Sequence, residues 1–193
     1  MTRIIGGEAG GRRLRTPTGE STRPTSDRVR EALFSSLEAL LGSVHGLRFL
    51  DLYSGSGAVG LEARSRGAGV VTCVEQDRRT AALVRDNARN LGLEVEVVAS
   101  AVARHLAHPP RTPYDVVFAD PPYPLPTAAV EADLVALREH AWLTPGALVV
   151  LERSSRGTAP SWPEGYEALR ERRYGETVLW YGRAASVPPS EDS

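Results

Sequence analysis

Residues 120–123 read Asp-Pro-Pro-Tyr and directly follow an apolar run. A planar amine conjugated to an aromatic ring is a poor nucleophile, so adding a group to it requires acceptors for its N–H bonds and a surface for its ring. The Asp120 carboxylate and the Pro121 carbonyl can accept those N–H bonds, while Tyr123 can stack on the ring. Pro121 and Pro122 fix the loop in advance, because each ring holds φ at about −65°. The alternative is a simple turn, since proline pairs often punctuate turns.

A second motif lies upstream, where residues 50–60 read Leu-Asp-Leu-Tyr-Ser-Gly-Ser-Gly-Ala-Val-Gly. Its glycines fit the G-x-G-x-x-G pattern between a predicted strand and a predicted helix, which indicates a turn that holds a nucleotide. Gly55 and Gly57 allow close approach of the backbone to a ligand. Glu75 ends the next apolar run, and its carboxylate can accept hydrogen bonds from ribose hydroxyls.

Asp51 distinguishes between the ligands that such a turn can hold. The pattern fits a dinucleotide, S-adenosylmethionine, or a glycine turn that serves packing alone. An acid at the strand end would repel a pyrophosphate, whereas it attracts the sulfonium and the ammonium of S-adenosylmethionine. The sequence therefore favours the methyl donor over the dinucleotide.

Composition sets broad limits on the class of protein. The chain has 193 residues, 41% of them hydrophobic and 24% charged, which is typical of one globular domain. No apolar run approaches the roughly 18 residues of a membrane span, and the first residues lack a signal-peptide core. Cys73 is the only cysteine, which excludes an internal disulfide and indicates a reducing cytoplasm. Its place in a predicted strand favours a buried packing role. The four histidines do not cluster with acids, so we expect no metal site.

Positive charge gathers at the N-terminus. Residues 1–30 carry seven arginines against three acidic residues, although the net charge of the chain is −1. Arg3–Ile5 and Arg12–Arg15 flank a glycine-rich stretch, which predicts a short β-hairpin. Such a hairpin could bind phosphate, and the alternative is a solvated, disordered arm. Residues 153–156, Arg-Ser-Ser-Arg, fit either a second phosphate contact or an ordinary charged loop.

Alternating apolar periods predict an α/β fold. It consists of a helix capped by Thr25 or Ser26, then a mostly parallel seven-stranded sheet that ends in an antiparallel hairpin. The predicted strands are Arg48–Leu52, Val70–Glu75, Glu94–Ala99, Asp115–Asp120, Ala147–Glu152, Tyr166–Tyr174 and Glu176–Tyr181. The predicted helices after the first are Ala58–Arg66, Arg78–Leu91, Ala101–Ala107 and Thr127–Ala141, the last with Val130, Leu134, Leu137 and Ala141 facing inward.

The candidate residues converge on one edge of this sheet. Asp51, Glu75, Ser100, Asp120 and Glu152 each end or follow a predicted strand. The carboxyl ends of parallel strands share an edge, and open α/β sheets bind their ligands there. We therefore expect the two motifs to build a single site.

Four stretches of the chain resemble the RsmD family, the bacterial 16S rRNA guanine-N2 methyltransferases of class I. They are Arg3–Leu14, Thr22–Phe34, Asp51–Ala63 and Tyr114–Tyr123, and the likeness spans about residues 3–182. The two N-terminal stretches are the specific part, because the other two motifs recur in many amino-methylating enzymes. The resemblance implies a Rossmann-like class I fold and methylation of the N2 amine at the guanine-966 site of 16S rRNA.

The resemblance also implies roles for individual residues. The cofactor S-adenosylmethionine would contact Asp51, Ser54, Gly55, Gly57, Glu75, Gln76, Ser100 and Ala101. The catalytic loop would be Asp120, Pro121, Pro122 and Tyr123, and RNA would contact Arg3, Arg12, Arg13, Arg15, Arg23 and Arg28. Class I enzymes often place an acid against the adenine amine, where this chain has Ser100 and Ala101.

The same resemblance outlines how the chain works as a whole. Residues 1–22 would be an RNA-binding basic hairpin arm, residues 23–183 the methyltransferase domain, and residues 184–193 a disordered tail. The implied partner is 16S rRNA in an assembling small ribosomal subunit. We expect a cytoplasmic monomer that uses neither metal nor membrane.

Other functions fit parts of the sequence. Asp-Pro-Pro-Tyr does not distinguish guanine N2 from adenine N6 or cytosine N4, so a DNA or RNA adenine-N6 or cytosine-N4 methyltransferase is the nearest alternative. The short chain leaves little room for a separate DNA-reading domain, which disfavours a DNA substrate. Protein glutamine methyltransferases use a similar pocket but typically have Asn where Asp120 stands. A different class of protein, a non-catalytic RNA chaperone that retains the fold, is a further alternative.

Overall fold

A seven-stranded sheet with helices on both faces carries the glycine-rich motif and the Asp-Pro-Pro-Tyr motif. The computed structural model describes residues 2–18 and 26–186. Arg23, the alternative cap Thr25 and residues 187–193 of the predicted tail lie outside the described residues. The boundaries predicted at residues 22 and 183 stay predictions.

The strands, in chain order, are β1 (Thr2–Arg3), β2 (Arg13–Leu14), β3 (Arg48–Leu52), β4 (Val70–Glu75), β5 (Glu96–Ala99), β6 (Tyr114–Ala119), β7 (Leu143–Ser154), β8 (Tyr166–Tyr174) and β9 (Thr177–Ala184). The helices are α1 (Asp27–Leu41), α2 (Ala58–Ser65), α3 (Arg78–Leu91), α4 (Val102–Leu106) and α5 (Thr127–Glu139). β1 and β2 form a separate two-stranded hairpin, and the large sheet has the order β5-β4-β3-β6-β7-β9-β8.

The first five strands of the large sheet are parallel, and β9 runs antiparallel between β7 and β8. This arrangement confirms the predicted topology. β3 and β6 are neighbours whose last paired residues are Leu52 and Ala119. The glycine-rich motif and the Asp-Pro-Pro-Tyr motif therefore follow neighbouring strands at the same edge of the sheet. The strand order reverses there, because β4 lies on one side of β3 and β6 on the other.

Two apolar layers cover the sheet. Leu33 and Leu37 of α1 pack with residues of α2, α3 and β9 on one face, while Leu134 and Leu137 of α5 pack with α4 on the other. Cys73 is fully buried in the first layer, as its predicted packing role requires. Among the described residues, no helix is long and apolar enough to cross a membrane.

Some predicted element bounds are wrong. β5 begins at Glu96 rather than Glu94, and β7 begins at Leu143 rather than Ala147. The longer β7 arises because an irregularity between Tyr114 and Val116 lets Leu143 pair with the start of β6. Pairing of this kind depends on the neighbouring strand and cannot be read from the apolar run itself.

Ala141 was predicted to face inward, and this prediction is wrong. Helix α5 ends at Glu139, and Ala141 is exposed with a φ of 57° in the turn that follows. Trp142 takes the buried position instead and donates to the Leu106 carbonyl at 3.2 Å.

The N-terminal hairpin is docked on the domain. Ile4 and Leu14 are buried against residues of α2 and α3. The Glu62 carboxylate accepts from the Ile5 amide at 2.9 Å and from the Gly6 amide at 3.3 Å. Described residues 2–14 thus form an ordered part of the molecule, which contradicts the solvated-arm alternative for this stretch.

Candidate active site

Asp51 lies beneath the glycine-rich loop, at the end of β3. Its side chain is 1% exposed, and Oδ2 accepts from the Gly60 amide in α2 at 2.9 Å. The pKa of Asp51 is raised to about 8, mainly by burial; the nearby Glu75 and Glu152 carboxylates also raise it, while the hydrogen bond from the Gly60 amide lowers it. Asp51 therefore fixes the loop from below and bears an electrostatic strain that a nearby cation would relieve.

The three glycines of the motif have different surroundings. Gly55 has a φ of 54°, and a Cβ placed on it would meet nothing within 4 Å. A Cβ on Gly57 would lie 2.7 Å from the Val84 side chain, and one on Gly60 would lie 2.5 Å from the sulfur of Cys73. Gly55 is thus the position where the backbone faces open space, whereas the other two permit close packing of α2.

Glu75 connects the loop to the end of β4. Its Oε2 accepts from the Gly55 amide at 3.0 Å and its Oε1 from the Asp77 amide at 3.0 Å. The Ser54 hydroxyl is buried and has no hydrogen-bond partner among the described residues. A buried polar atom without a partner is costly, so the unpaired hydroxyl beside the open space at Gly55 fits a polar ligand such as a nucleoside cofactor.

The residues predicted to contact an adenine ring lie at the end of β5. The Ser100 amide donates to the Glu75 carbonyl at 3.1 Å, which brings Ser100 to the same edge as the glycine-rich loop. Its hydroxyl donates to the Ala101 carbonyl at 3.0 Å. Gln76 and Ala101 are exposed at this edge. The structure therefore brings the eight predicted cofactor residues to one edge, with Asp51 and Gly57 beneath its surface.

The Asp-Pro-Pro-Tyr loop leaves β6 next to this edge. The Asp120 amide donates to the Leu52 carbonyl at 3.4 Å, so the loop begins against the end of β3. Asp120 is half-buried, Pro121 is buried and Pro122 is exposed. Tyr123 is 70% exposed, and its hydroxyl is hydrogen-bonded to Ser154 Oγ at 3.0 Å. The Tyr123 ring is thus presented to solvent at a fixed position, as a stacking surface requires.

The end of β7 holds this loop through contacts that the sequence did not reveal. Arg153 donates to the Leu125 carbonyl at 3.0 Å, and the Leu125 amide closes a turn onto the Pro122 carbonyl at 2.9 Å. Together with the Tyr123–Ser154 bond, these contacts give Arg153 and Ser154 a structural task. The signal that could have indicated it is the position of residues 153–156 after a strand that neighbours β6.

Tyr53 and Asp133 form a second contact that the sequence did not reveal. Tyr53 follows β3 with a φ of 57°, which is uncommon for a residue other than glycine. Its hydroxyl donates to the carboxylate of Asp133 on α5, and Asp133 is only 8% exposed. Burial first, and the Asp133 carboxylate second, raise the pKa of Tyr53, and burial raises the pKa of Asp133. An acid on the apolar face of a predicted helix was the signal for a buried partner.

Two of the predicted RNA-binding arginines also hold the hairpin in place. Arg3 is exposed and lies 3.4 Å from the Asp27 carboxylate at the start of α1. Arg12 is exposed and donates to the Leu91 carbonyl at 3.0 Å and to the Asn90 carbonyl at the end of α3. Their guanidinium groups therefore have structural partners as well as solvent access.

The other described arginines of this set are presented to solvent. Arg13, Arg15 and Arg28 are exposed, and Arg13 and Arg15 form no ion pair with the residues that the structure describes. Within the same parts of the chain there is no cluster of three or more His, Cys, Asp or Glu side chains that could hold a metal ion.

Comparison with known proteins decides the family. Residues 2–183 match the family model described as Conserved hypothetical protein 95. Over 176 residues, the chain is 34% identical to the ribosomal RNA small subunit methyltransferase D of Escherichia coli strain K12. The matched region covers 91% of this chain and 86% of that protein. The chain belongs to the RsmD family. The family expected from the four motifs is therefore confirmed.

Solved structures agree with the RsmD assignment. The Escherichia coli protein yhhF superposes with a TM-score of 0.84 at 34% identity, covering 96% of this chain and 99% of that one. SMU.776, a structure complexed with SAH, has a TM-score of 0.63 at 17% identity and covers 81% of this chain and 48% of that one. The second likeness concerns the fold alone. The predicted fold, a Rossmann-like class I methyltransferase, is confirmed.

Proposed function

We propose that this chain transfers the methyl group of S-adenosylmethionine to the exocyclic N2 amine of a guanine in 16S rRNA. The observation that carries the proposal is the adjacency of two sites at the ends of β3 and β6. The glycine-rich loop, whose buried Ser54 hydroxyl has no hydrogen-bond partner among the described residues, lies next to the Asp-Pro-Pro-Tyr loop, where the Asp120 amide donates a hydrogen bond to the Leu52 carbonyl. A donor and an amine bound there would be neighbours.

The residues at the ends of β3, β4 and β5 fit the cofactor. S-adenosylmethionine supplies a methyl group bound to a positively charged sulfur. Ser54, Gly55 and Glu75 would hold its polar groups, and Ser100 with Ala101 would flank its adenine. The buried Asp51 would favour a cation above it, because a cation relieves the cost of ionising its carboxyl.

The Asp-Pro-Pro-Tyr loop would prepare the amine. A guanine turned out of its RNA loop can reach the pocket, whereas a base inside a stack cannot. The Asp120 carboxylate and the Pro121 carbonyl then accept its two N–H bonds and direct the nitrogen lone pair, while Tyr123 packs on the ring. The nitrogen becomes acidic as it is methylated, so Asp120 or water can take the proton without a specially tuned base.

The basic surface would position the rRNA. Arg3, Arg12, Arg13, Arg15 and Arg28 are exposed on the hairpin and the start of α1. Guanidinium groups suit phosphate contacts, and a docked hairpin presents them in a defined arrangement. We propose that the substrate is the assembling small subunit and that the protein acts on it as a cytoplasmic monomer.

Replacing Asp120 tests the proposed catalytic loop. We expect Asp120→Ala to lower methylation of undermethylated small subunits by at least about 100-fold and to change the affinity for S-adenosylmethionine by less than about twofold. Asp120→Asn, which keeps one acceptor of the same size, should retain intermediate activity. Wild-type turnover in Asp120→Ala would refute the role of this residue.

The substrate class is tested separately. Labelled S-adenosylmethionine is offered in parallel to undermethylated small subunits, free rRNA, DNA and protein, and the product is identified by mass spectrometry. We expect N2-methylguanine in 16S rRNA. Label only on DNA or only on protein would overturn the assignment, and absence of turnover on any RNA would favour an RNA chaperone.

A further inference from the structure

A groove of about 520 Å³ lies between the N-terminal hairpin and α3. It lies outside the two loops described above. Its sides are formed by β2 and the residues that follow it, and by one face of α3. The residues that matter for its chemistry are Arg13, Leu14, Arg15, Leu83, Asn87 and Asn90.

The hairpin side of the groove is basic. Leu14 is 4% exposed and points into the domain, whereas Arg13 and Arg15 on either side of it are exposed. Side chains alternate along an extended strand, so the two guanidinium groups project on the same side. No acidic side chain lines the groove in the part of the chain that the structure describes. Residues 31–193 carry 16 arginines against 21 acidic residues, so a surface groove without an acidic side chain is not expected from the composition of this part of the chain.

The α3 side of the groove supplies apolar and amide groups. Leu83 and Asn90 are seven residues apart, two helical turns, and therefore lie on the same face of α3. Leu83 is half-buried and Asn90 is exposed. Apolar side chains and guanidinium planes can pack on base faces, amides can bind base edges, and arginines can contact phosphates.

The floor of the groove connects it to the glycine-rich loop. Asn87 is 2% exposed; its Oδ1 accepts from the Arg15 amide at 3.0 Å, and its Nδ2 donates to the Arg15 carbonyl at 2.9 Å. The same Nδ2 donates to the Ser56 carbonyl of the loop at 3.1 Å. A ligand in the groove would therefore lie beside the loop assigned to the cofactor.

We propose that this groove binds a single-stranded segment of the substrate RNA that flanks the methylated guanine. Arg13 and Arg15 contact its phosphates, and Leu83 with Asn90 contacts a base. The inference rests on the proposed function and deepens it, because it adds α3 as a second wall to an RNA surface that otherwise consists of the hairpin and α1. The chemistry selects a polyanion with exposed bases over an acidic peptide, which would not use the apolar wall.

Changes of charge at Asn90 test the proposal without altering the hairpin. The Asn90 side chain is exposed, and the contact from Arg12 goes to its backbone carbonyl, so substitution leaves that bond in place. We expect Asn90→Asp to weaken binding of 16S rRNA by about tenfold near 0.1 M salt and Asn90→Arg to strengthen it by a similar factor, with a steeper salt dependence. Binding is measured by titration at four salt concentrations, and thermal unfolding checks that each variant is folded.

Matched controls on another face of α3 separate the groove from net charge. Arg85→Gln changes the net charge by the same amount as Asn90→Asp, and Arg85 is exposed and bonds to the Val97 carbonyl at 3.2 Å outside the groove. We expect its effect on RNA affinity to be less than about twofold. Equal losses in Asn90→Asp and Arg85→Gln would overturn the proposal, as would an unchanged salt slope in Asn90→Arg.

The readout distinguishes this inference from the proposed function. RNA binding is measured without cofactor, so it reports on the groove even if no methylation is found. If the wild-type chain methylates rRNA but the Asn90 variants bind rRNA as the wild type does, the groove proposal is wrong and the proposed function is still supported. A further control is competition by an acidic peptide. If the peptide displaces rRNA from the wild type and from Asn90→Asp to the same extent, the assignment of the groove to RNA is contradicted.

Discussion

Asp51 lies beneath the cofactor site that we propose. The carboxyl group is buried, one oxygen accepts from the Gly60 amide, and two further carboxylates lie nearby. Ionising such a group is unfavourable in the folded protein, so Asp51 holds its proton to higher pH than an exposed aspartate does. A cation bound above the loop would shift that balance, which links the protonation of Asp51 to occupation of the site.

Asp51→Asn should alter the pH dependence of stability. The pKa of Asp51 is about 8 in the folded chain against an ordinary value of 3.8. Between these values the folded state binds a proton that the unfolded state has lost, so the contribution of Asp51 to stability falls as pH rises. We therefore expect wild type to lose stability relative to Asp51→Asn from about pH 4 to about pH 8, by at most about 1.4 kcal/mol per pH unit. Urea unfolding across this range measures it, and parallel curves would contradict the shift.

At the level of elements, local patterns were readable and cross-chain contacts were not. The apolar runs of β3, β4 and β6 and the helix periods of α1 and α3 predicted their positions, because burial on both faces leaves a continuous or periodic signal. The motifs also placed Asp120 and Glu75 on one edge, since parallel strands share their carboxyl ends. The early start of β7, the burial of Trp142 in place of Ala141 and the identity of Tyr53 as the partner of Asp133 depend on residues far along the chain, which no local pattern encodes.

Tyr53→Phe should destabilise the junction between β3 and α5. The substitution leaves the Asp133 carboxylate buried without the hydroxyl that donates to it. We expect a loss of about 1–3 kcal/mol in the free energy of unfolding near neutral pH. The loss should be smaller near pH 4, because burial already raises the pKa of Asp133 and a protonated carboxyl needs no donor.

A double-mutant cycle isolates this contact. In an Asp133→Leu background, Tyr53→Phe should cost less than in wild type, because no buried carboxylate is left behind. Urea unfolding of the four proteins at two pH values gives the coupling energy. Equal costs in both backgrounds, at both pH values, would show that the Tyr53 hydroxyl does not serve Asp133.

At the scale of the whole molecule, the N-terminal hairpin and the methyltransferase fold form one unit. The Glu62 carboxylate of α2 accepts hydrogen bonds from two backbone amides of the hairpin. The Asn87 side chain of α3 is hydrogen-bonded both to Arg15 and to the glycine-rich loop. The surface that we propose for RNA is therefore attached to the helices that surround the proposed cofactor site. Removal of residues 1–15 would take Ile4 and Leu14 out of the core as well as removing arginines, so a truncation would report on folding together with RNA binding.

Glu62→Ala tests whether the hairpin depends on this attachment. Glu62 is fully buried, burial raises its pKa, and its carboxylate accepts the Ile5 and Gly6 amides. We expect a loss of about 1.5–3 kcal/mol in the free energy of unfolding, as for hydrogen bonds to a charged group. The Ile5 and Gly6 amides should exchange hydrogen faster, and rRNA affinity should fall, because the arginines lose their fixed arrangement. Affinity for S-adenosylmethionine should change by less than about twofold.

Glu38→Ala is the matched control for this change. Glu38 is half-exposed and lies 3.7 Å from Arg66, the same arginine that pairs with Glu62, so its removal should cost less than about 1 kcal/mol. Hydrogen exchange and urea unfolding compare the two variants directly. Unchanged protection of the Ile5 and Gly6 amides in Glu62→Ala would mean that apolar packing of Ile4 and Leu14 alone docks the hairpin. In that case the connection between the RNA surface and α2 would run through the core rather than through this carboxylate.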